Sequence, residues 1–349
     1  MVIKMTKEIK VALLMAASLF MEILDGTIVT TALPKMAQYF HTGSSTIALL
    51  VSVYLITVAI FIPLSGWMAN QFGKKKIWII AVILFTISSL SSALAPNFSF
   101  LLIMRIIQGI SGALMTPTAR LIVLEKTPAS QLLKMISYLI WPALIAPAIA
   151  PLVGGFIVTY WNWQWIFLIN VPIGLITALI GAKLIDTDKV KNKTSFDLIG
   201  FIEIALSSGI ILVGTEIATH GKDYWLSALG LVILGIILGF IVFRHLKKSD
   251  DPLFSLDSLK ITSFRIFQTS GSVLWLCVGA LPYILTIFLQ TVFQWSAVKA
   301  GSYVLFIFVG NIGIKPFTNI IIRKLGYRGA LLSSFGMVFI TSIATFACC

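Results

Sequence analysis

Long apolar stretches recur along this chain about every 25 to 35 residues, and short polar turns separate them. Each stretch is long enough for an α-helix to cross the roughly 30 Å hydrocarbon core of a bilayer. The alternating pattern of a membrane β-barrel, about ten residues per segment, is absent from the sequence. The pattern therefore predicts an all-α polytopic membrane protein. Its eleven predicted spans lie near residues 11–33, 46–69, 77–95, 98–122, 135–159, 164–185, 198–218, 225–245, 264–289, 299–322 and 329–347.

Composition supports the same fold class. Of the 349 residues, 58% are hydrophobic and 11% are charged, whereas a soluble domain carries about 25% charged residues. The first apolar stretch is too long for a cleaved signal peptide and lacks a small-x-small cleavage site. We therefore expect this stretch to remain in the mature protein as the first span.

The distribution of the basic residues predicts the orientation of the chain. The net charge is +13, but with a cytoplasmic N-terminus 21 of the 26 Lys and Arg residues fall in the N-terminal segment and the inner turns. Only Lys35, Lys222 and Lys299 fall in the outer turns. This is the positive-inside bias of an inner-membrane protein. The basic charge is thus explained by topology, and we expect a lipid bilayer and no nucleic acid as partner.

The sequence lacks the motifs of several enzyme classes. No GxxxxGK[ST] stretch occurs, so no fused nucleotide-driven engine is predicted. The three histidines and three cysteines have no spacing typical of a metal site or a catalytic cluster. We expect neither enzymatic activity nor a cofactor, and we expect energy to come from an ion gradient or from a partner chain.

Four segments carry a resemblance to a known family, and a segment similar to one of them occurs again later in the chain. The turn after the second predicted span, 66–76, is echoed after the tenth, at 319–329, as in transporters built from repeated halves. Together the four segments resemble the major facilitator superfamily, and specifically its fourteen-span drug:proton antiporters of the EmrB/QacA group. They are LDGTIVTTALP (24–34), GWMANQFGKKK (66–76), RIIQGISGALMTP (105–117) and APAIAPLVGG (146–155) with the following WQWIFLINVPIG (163–174).

The resemblance implies a fold of helical bundles in three parts. Residues 1–190 would form an N-terminal six-helix bundle, and residues 191–260 would form two extra linking transmembrane helices with a cytoplasmic loop. Residues 261–349 would form three helices of a partial C-terminal bundle, without the last three spans of the fourteen-span plan. A periplasmic adaptor and an outer-membrane channel are possible partners by family analogy.

The implied function is proton-coupled export of amphipathic drugs or related small molecules across the inner membrane. The implied mechanism is alternating access. Two alternatives stay open. Eleven spans cannot build two complete six-helix bundles, so the chain could be a truncated, non-transporting fragment or remnant of such a transporter. An uptake permease of the same superfamily is the other alternative, because the exporter assignment depends on the resemblance.

Two acids and one arginine are the candidates for proton coupling. Asp25 lies in the middle of an apolar span, where an ionised carboxylate costs about 2.5–3.5 kcal/mol, so it should bind a proton or a partner. Arg105 and Asp25 both lie about 10–12 Å below the same membrane surface, which makes an ion pair possible. Glu22 precedes Asp25 by three residues and shares its helical face. The two acids could share a proton, or Glu22 could attract cationic substrates.

Further residues are candidates for the substrate cavity and for gating. Gln108 lies one turn after Arg105 and should share its face, and Gly109 and Gly112 are expected to be packing glycines. The fifth span is rich in residues that bend or pack helices, and the resemblance implies that it pivots or seals during transport. Its candidate residues are Pro147, Pro151, Gly154 and Gly155.

The turn between the second and third spans is the candidate inner gate. Its motif residues are Gly66, Asn70, Gly73, Lys74 and Lys75. The family has an acidic residue at the position of Asn70, which is thought to form a charge pair that latches the gate. A latch at this position would therefore depend here on neutral hydrogen bonds.

Overall fold

Helices make up all the regular structure in the described part of the chain. The computed structural model describes residues 6–125, 127–128, 131–187, 195–219, 221–249, 251–295 and 297–348. Short 3₁₀ turns at Lys222–Tyr224 and Leu256–Lys260 accompany the α-helices. The α-helices are α1 (Lys7–Tyr39), α2 (Ser44–Phe72), α3 (Lys74–Ala93), α4 (Phe98–Glu125), α5 (Leu132–Tyr160), α6 (Trp165–Leu168), α7 (Asn170–Leu184), α8 (Leu198–Ala218), α9 (Trp225–Lys248), α10 (Thr262–Thr291) and α11 (Ala297–Cys348).

The predicted all-α polytopic fold is confirmed. In the described part of the chain, seven helical segments are long and apolar enough to cross a membrane, or up to eight if the bent α5 counts as one span. The predicted sixth span contains a break, because α6 and α7 together form the segment Trp165–Leu184. Helix α11 covers the last two predicted spans and has a non-helical backbone at Gly326, with φ 68° and ψ 172°.

The chain divides into two compact units, Met1–Thr269 and Ser270–Cys349. In the first unit, α1 packs against α5, α2 against α4, and α3 against both α4 and α7. Helices α8 and α9 form an antiparallel hairpin whose first helix also contacts α2. The second unit comprises the end of α10 and all of α11.

Two apolar clusters form the core of the first unit, one towards each end of its helices. The cluster at the end that carries Lys74 includes Met15, Trp78, Phe85 and Met115. The cluster at the opposite end includes Leu24, Ile28, Leu50, Leu101 and Phe167. Fully buried polar side chains of α1, α3, α4 and α7 form the candidate site.

The hairpin of α8 and α9 is fixed at the end that carries Asp197. The Asp197 carboxylate caps α8 by accepting a hydrogen bond from the Gly200 N–H at 2.8 Å. It lies 2.9 Å from Nε2 of His245 on α9 and also accepts from the Leu253 N–H at 3.2 Å. Ring contacts between Trp67 and Phe196 join this end of the hairpin to α2.

Candidate functional site

Asp25 is the centre of a fully buried polar cluster. Its side chain has 0% exposure, and Arg105 Nη1 donates to Asp25 Oδ2 at 2.5 Å. Asp25 Oδ1 accepts from Gln108 Nε2 at 3.0 Å and from Asn170 Nδ2 at 2.8 Å. Three donors from α4 and α7 thus hold one carboxylate on α1. The predicted approach of Asp25 to Arg105 is present in the structure.

Arg105 is held on several sides. Its Nε donates to the Leu50 carbonyl at 3.1 Å, and its Nη1 also donates to Gln108 Oε1 at 2.7 Å. The guanidinium carbon lies 4.2 Å from the ring centroid of Tyr54 and 5.8 Å from that of Phe167. A cation over an aromatic face is stabilised by the ring quadrupole. These contacts replace part of the hydration that the arginine loses on burial.

The balance of charge in this cluster depends on the pair remaining intact. Two opposite charges in a low-dielectric interior attract strongly, but each loses its hydration. Removal of one partner leaves the other charge buried and uncompensated, which typically costs about 3–5 kcal/mol. A proton on Asp25 removes the negative charge without removing the side chain. The cluster can therefore change its electrostatic state by binding one proton.

Glycines let the neighbouring helices approach the cluster. A Cβ atom at Gly109 would lie 2.9 Å from the Tyr54 carbonyl oxygen and 2.8 Å from Thr57 Cβ, so α2 and α4 meet at this glycine. A Cβ atom at Gly112 would lie 3.3 Å from Glu22 Oε1. Both predicted packing glycines are thus at close helix contacts. Gly109 brings the Leu50 and Tyr54 turns of α2 within reach of Arg105.

Glu22 lies one turn from Asp25 in a different environment. Its side chain is only half-buried, and Thr116 Oγ1 donates to Glu22 Oε2. Among the described residues, the hydrogen-bond partners of the Glu22 carboxylate do not include Asp25 or any donor of the Asp25 cluster. The two acids therefore belong to separate hydrogen-bond groups, and Glu22 is the less buried of the two.

Helix α5 is bent where the sequence predicts bending residues. Its arms, Met135–Pro147 and Leu152–Tyr160, meet at an angle of 45°. Gly154 faces α1, and a Cβ atom there would lie 2.2 Å from Thr31 Oγ1. Gly155 has no neighbour among the described residues within 4 Å of the same position, so no close packing is seen there. The side chain of Pro151 lies outside the described residues.

The inter-span motif joins α2 to α3 and anchors this turn. Gly73 has φ 89°, a conformation that favours glycine, and it ends α2 and begins α3. Lys74 forms an ion pair with Glu125 at the end of α4. Lys75 donates to the Ala182 carbonyl near the end of α7 at 2.8 Å. The motif thus connects three helix ends on one side of the unit.

The other two motif residues line a cavity. Gly66 and Asn70 lie on the wall of a cavity of about 860 Å³ between α2, Pro117 of α4 and the segment that follows α9. The Asn70 side chain is exposed. Since an amide carries no charge, Asn70 supplies hydrogen-bonding groups to this cavity without the ion pair that an acid would allow.

Sequence reasoning missed three of the side chains around Asp25. Asn170 is part of the quoted segment WQWIFLINVPIG, where an amide among apolar residues was the available signal. Tyr54 and Ser89 gave no signal of their own, because single hydroxyl groups are common in membrane helices.

In the described ranges, no three His, Cys, Asp or Glu side chains are grouped closely enough to hold a metal ion.

Comparisons with known proteins agree on the family. Residues 15–348 match the profile of the Major Facilitator Superfamily. A protein named "Putative multidrug resistance protein MdtD" from Escherichia coli O6:H1 (strain CFT073) is 32% identical over 322 residues, which are 92% of this chain and 68% of that protein. A protein of the same name from Pectobacterium atrosepticum is 33% identical over 321 residues, covering 92% of this chain and 69% of its own length.

Solved structures of the same fold are more distant in sequence. The human organic anion transporter MFSD10 (TETRAN) matches 93% of this chain and 72% of its own, with a TM-score of 0.60 and 14% identity. The proton:xylose symporter XylE matches 93% and 70%, with a TM-score of 0.59 and 15% identity. At such identities the likeness concerns the fold alone. Sequence and fold together place this chain in the Major Facilitator Superfamily, as a multi-pass membrane transporter with multidrug-resistance relatives.

Proposed function

We propose that this transporter exports amphipathic small molecules across the cytoplasmic membrane in exchange for protons, with its N-terminus in the cytoplasm. The observation that carries the proposal is the fully buried ion pair between Asp25 and Arg105. A permanent ion pair inside an apolar bundle contributes little net stability and is often replaceable by apolar residues. Its presence favours a functional role, and intramembrane acids are typical of proton relays.

The proposed cycle uses the charge of Asp25 as the link between proton and conformation. Proton uptake by Asp25 from outside removes the attraction to Arg105, so the guanidinium relies more on the Leu50 carbonyl and on the Tyr54 ring. That change shifts the balance between two arrangements of the bundles. Loss of the proton to the cytoplasm restores the pair and resets the transporter. Helix α5, bent by 45°, is the proposed pivot against α1.

The open position of Glu22 supports the second of its two predicted roles. The Glu22 side chain is only half-buried and its carboxylate accepts from Thr116, so a lipophilic cation could approach the exposed part of this residue. Arg120 and Asp25 are among the charged groups close enough to act on it. We therefore assign Glu22 to attraction of cationic substrates, and Asp25 with Arg105 to the proton.

We also propose a division of the chain into three parts, an inner gate and two partner proteins. The division into residues 1–190, 191–260 and 261–349 follows the family plan. The gate role of residues 66–75 follows the anchoring of α3 by Lys74 and Lys75. A periplasmic adaptor and an outer-membrane channel follow only from analogy with other drug exporters.

Efflux of a fluorescent cationic dye from cells that express the chain tests this function. We expect the chain to lower dye accumulation, a protonophore to abolish that effect, and Asp25→Asn to abolish it without loss of the protein from the membrane. Asp223→Asn is the matched control, because Asp223 is exposed, and it should leave efflux unchanged. Efflux that survives in Asp25→Asn would exclude Asp25 as the proton carrier.

The same assay separates the alternatives. An uptake permease would raise dye accumulation instead of lowering it. A chain without transport activity would leave accumulation equal to that of cells without the protein, with and without the protonophore.

A further inference from the structure

Helix α3 carries a run of hydroxyl groups beside the Asp25 cluster. Ser89 and Ser92 are fully buried, although α3 is otherwise largely apolar. Helix α3 packs against α4 and α7, the two helices that supply the donors to Asp25. Hydroxyl groups in such a place are costly unless they are hydrogen-bonded. The two serines therefore need an explanation beyond packing.

One of the serines connects directly to the carboxylate. Gln108 Nε2 donates to Ser89 Oγ at 2.7 Å and to Asp25 Oδ1 at 3.0 Å. The two hydrogens of one amide group thus hold Ser89 and Asp25 beside each other. Ser92 follows one turn later on the same face of α3, one residue before the helix ends at Ala93. The row leads from Asp25 to the end of α3 that lies opposite Lys74.

Within the described part of the chain, three fully buried atoms along this row have no hydrogen-bond partner. They are Ser92 Oγ, Arg105 Nη2 and Asn170 Oδ1. Arg105 Nη2 shares its carbon with the nitrogen that binds Asp25, and Asn170 Oδ1 shares its carbon with Nδ2, another of the three donors to that acid. Buried polar atoms without a protein partner are characteristically bonded to internal water. Here a donor and an acceptor of complementary type flank the same carboxylate.

We propose that water molecules bind along this row, from Ser92 past Ser89 to Arg105 Nη2 and Asn170 Oδ1, and that they conduct the proton to Asp25. This inference rests on the proposed role of Asp25 as proton carrier. The orientation with a cytoplasmic N-terminus places the Ser92 end of the row at the outer side. The proton path then runs inside the first unit, through a hydrogen-bond group that is separate from that of the Glu22 carboxylate.

Each proton transfer in this path is balanced. A hydronium ion at the outer end gives a proton to the first water, each water or serine hydroxyl passes on one proton as it receives one, and the Asp25 carboxylate ends as a neutral acid. The relay groups start and finish with the same number of protons. Gln108 does not transfer protons in this scheme, since an amide is a poor relay, and it is a positioning residue for Ser89 and Asp25.

Ser88, the residue before Ser89, offers a matched control on the same helix. Ser88 is also buried, but its hydroxyl donates to the Phe85 carbonyl of its own helix at 3.0 Å. Loss of the Ser88 hydroxyl removes a local helix contact and leaves the row intact. Loss of the Ser92 hydroxyl removes the outermost member of the row, and Ser92→Thr restores it.

The rate of proton uptake by Asp25 tests the inference. The full chain in detergent is mixed with acid, and the carbonyl stretching band of a protonated carboxylic acid is followed by time-resolved infrared spectroscopy. Subtraction of the Asp25→Asn spectra isolates the band of Asp25. We expect Ser92→Ala to slow its appearance about ten-fold or more, and Ser88→Ala and Ser92→Thr to keep the rate of the unmodified chain. Ser89→Ala gives the same test if Ser92→Ala does not accumulate.

The outcomes separate this inference from the function on which it rests. If the unmodified chain shows no band that Asp25→Asn removes, Asp25 does not take up the proton and the proposed function fails. If the band is present but Ser92→Ala and Ser88→Ala give equal rates, Asp25 is protonated by another route and the water row is wrong.

Discussion

At the scale of single residues, the proposed function depends on the environment of one buried carboxylate. Asp25 is an acid without any exposure, and three donors fix it in place. Its meeting with Arg105 follows from sequence, because both residues lie at one depth on helices that the family fold places side by side. The contributions of Asn170 and Tyr54 do not follow, since they depend on the rotation of α7 and α2 about their axes.

The buried pair should behave as a unit in stability measurements. Arg105→Leu leaves the Asp25 carboxylate without its cation, and we expect about 3–5 kcal/mol of destabilisation. Asp25→Asn should likewise be destabilising, because it leaves the buried guanidinium of Arg105 without its anion. The double variant should cost less than the sum of the two single variants. Unfolding in detergent measures the three values, and a strictly additive result would contradict the pairing.

Glu22 gives a prediction about substrate selectivity. Glu22→Gln keeps a group that can bond Thr116 but removes the charge, so affinity for lipophilic cations should fall about five- to ten-fold. Neutral amphipaths should be exported as before. Competition between a cationic and a neutral dye in the efflux assay measures the difference. Equal losses for both dyes would assign Glu22 to the proton and not to the substrate.

At the scale of helices, close approach between backbones shapes the site. Helices α2 and α4 meet at Gly109, where a methyl group would collide with the Tyr54 carbonyl and Thr57. The sequence predicts such glycines, because membrane helices pack through small residues. It does not distinguish Gly154, which faces α1, from its neighbour Gly155, which has no close contact with any described residue. That difference arises from the direction of each residue on the bent α5.

Alanine substitutions test this contact between α2 and α4. We expect Gly109→Ala to destabilise the protein by about 1–3 kcal/mol, because the neighbouring backbone cannot easily yield. Gly66→Ala is the control on α2, since no atom of the residues with a described position lies within 4 Å of its added methyl group, and it should be neutral or slightly stabilising. Thermal unfolding in detergent gives both values. Equal midpoints would show that α2 and α4 do not meet as described.

The α8–α9 hairpin gives a prediction about pH. Burial raises the pKa of the Asp197 carboxyl, but hydrogen bonds from Gly200, His245 and Leu253 outweigh burial and hold this pKa below its ordinary value. A carboxyl whose pKa is lowered in the folded state stabilises the protein at pH values above its ordinary pKa of about 3.9. This stabilisation is lost as the pH falls through the folded-state pKa. Asp197→Asn should therefore be less stable than the unmodified chain at neutral pH. The two stability curves should converge below about pH 4, and a constant gap down to lower pH would be contrary to this account.

At the scale of the whole molecule, sequence predicts the class better than the details. Hydropathy gives the helices, because lipid admits only segments whose backbone groups are satisfied internally. It does not reveal the break between α6 and α7 or the angle within α5, since both depend on local packing. The chain spans 68% of the length of its Escherichia coli relative. Its charge distribution predicts an orientation that the fold itself leaves open.

Orientation can be measured directly. In a variant without the native cysteines, we expect a membrane-impermeant maleimide to label Asp223→Cys on intact cells, because this turn is predicted to be outside. Asp257→Cys should be labelled only after the membrane is permeabilised. Both positions are exposed, so access of the reagent depends on the side of the membrane alone. The reverse pattern would invert the orientation and with it the direction of proton entry.

The exchange of a proton for a substrate at Asp25 is most directly tested by substrate-induced proton release. A lipophilic cation is added to the purified chain in weakly buffered detergent solution, and the proton concentration is followed. The account predicts release from the unmodified chain and from Asp223→Asn, and none from Asp25→Asn. Release of equal size from Asp25→Asn would show that the buried acid next to Arg105 does not hold the exchanged proton.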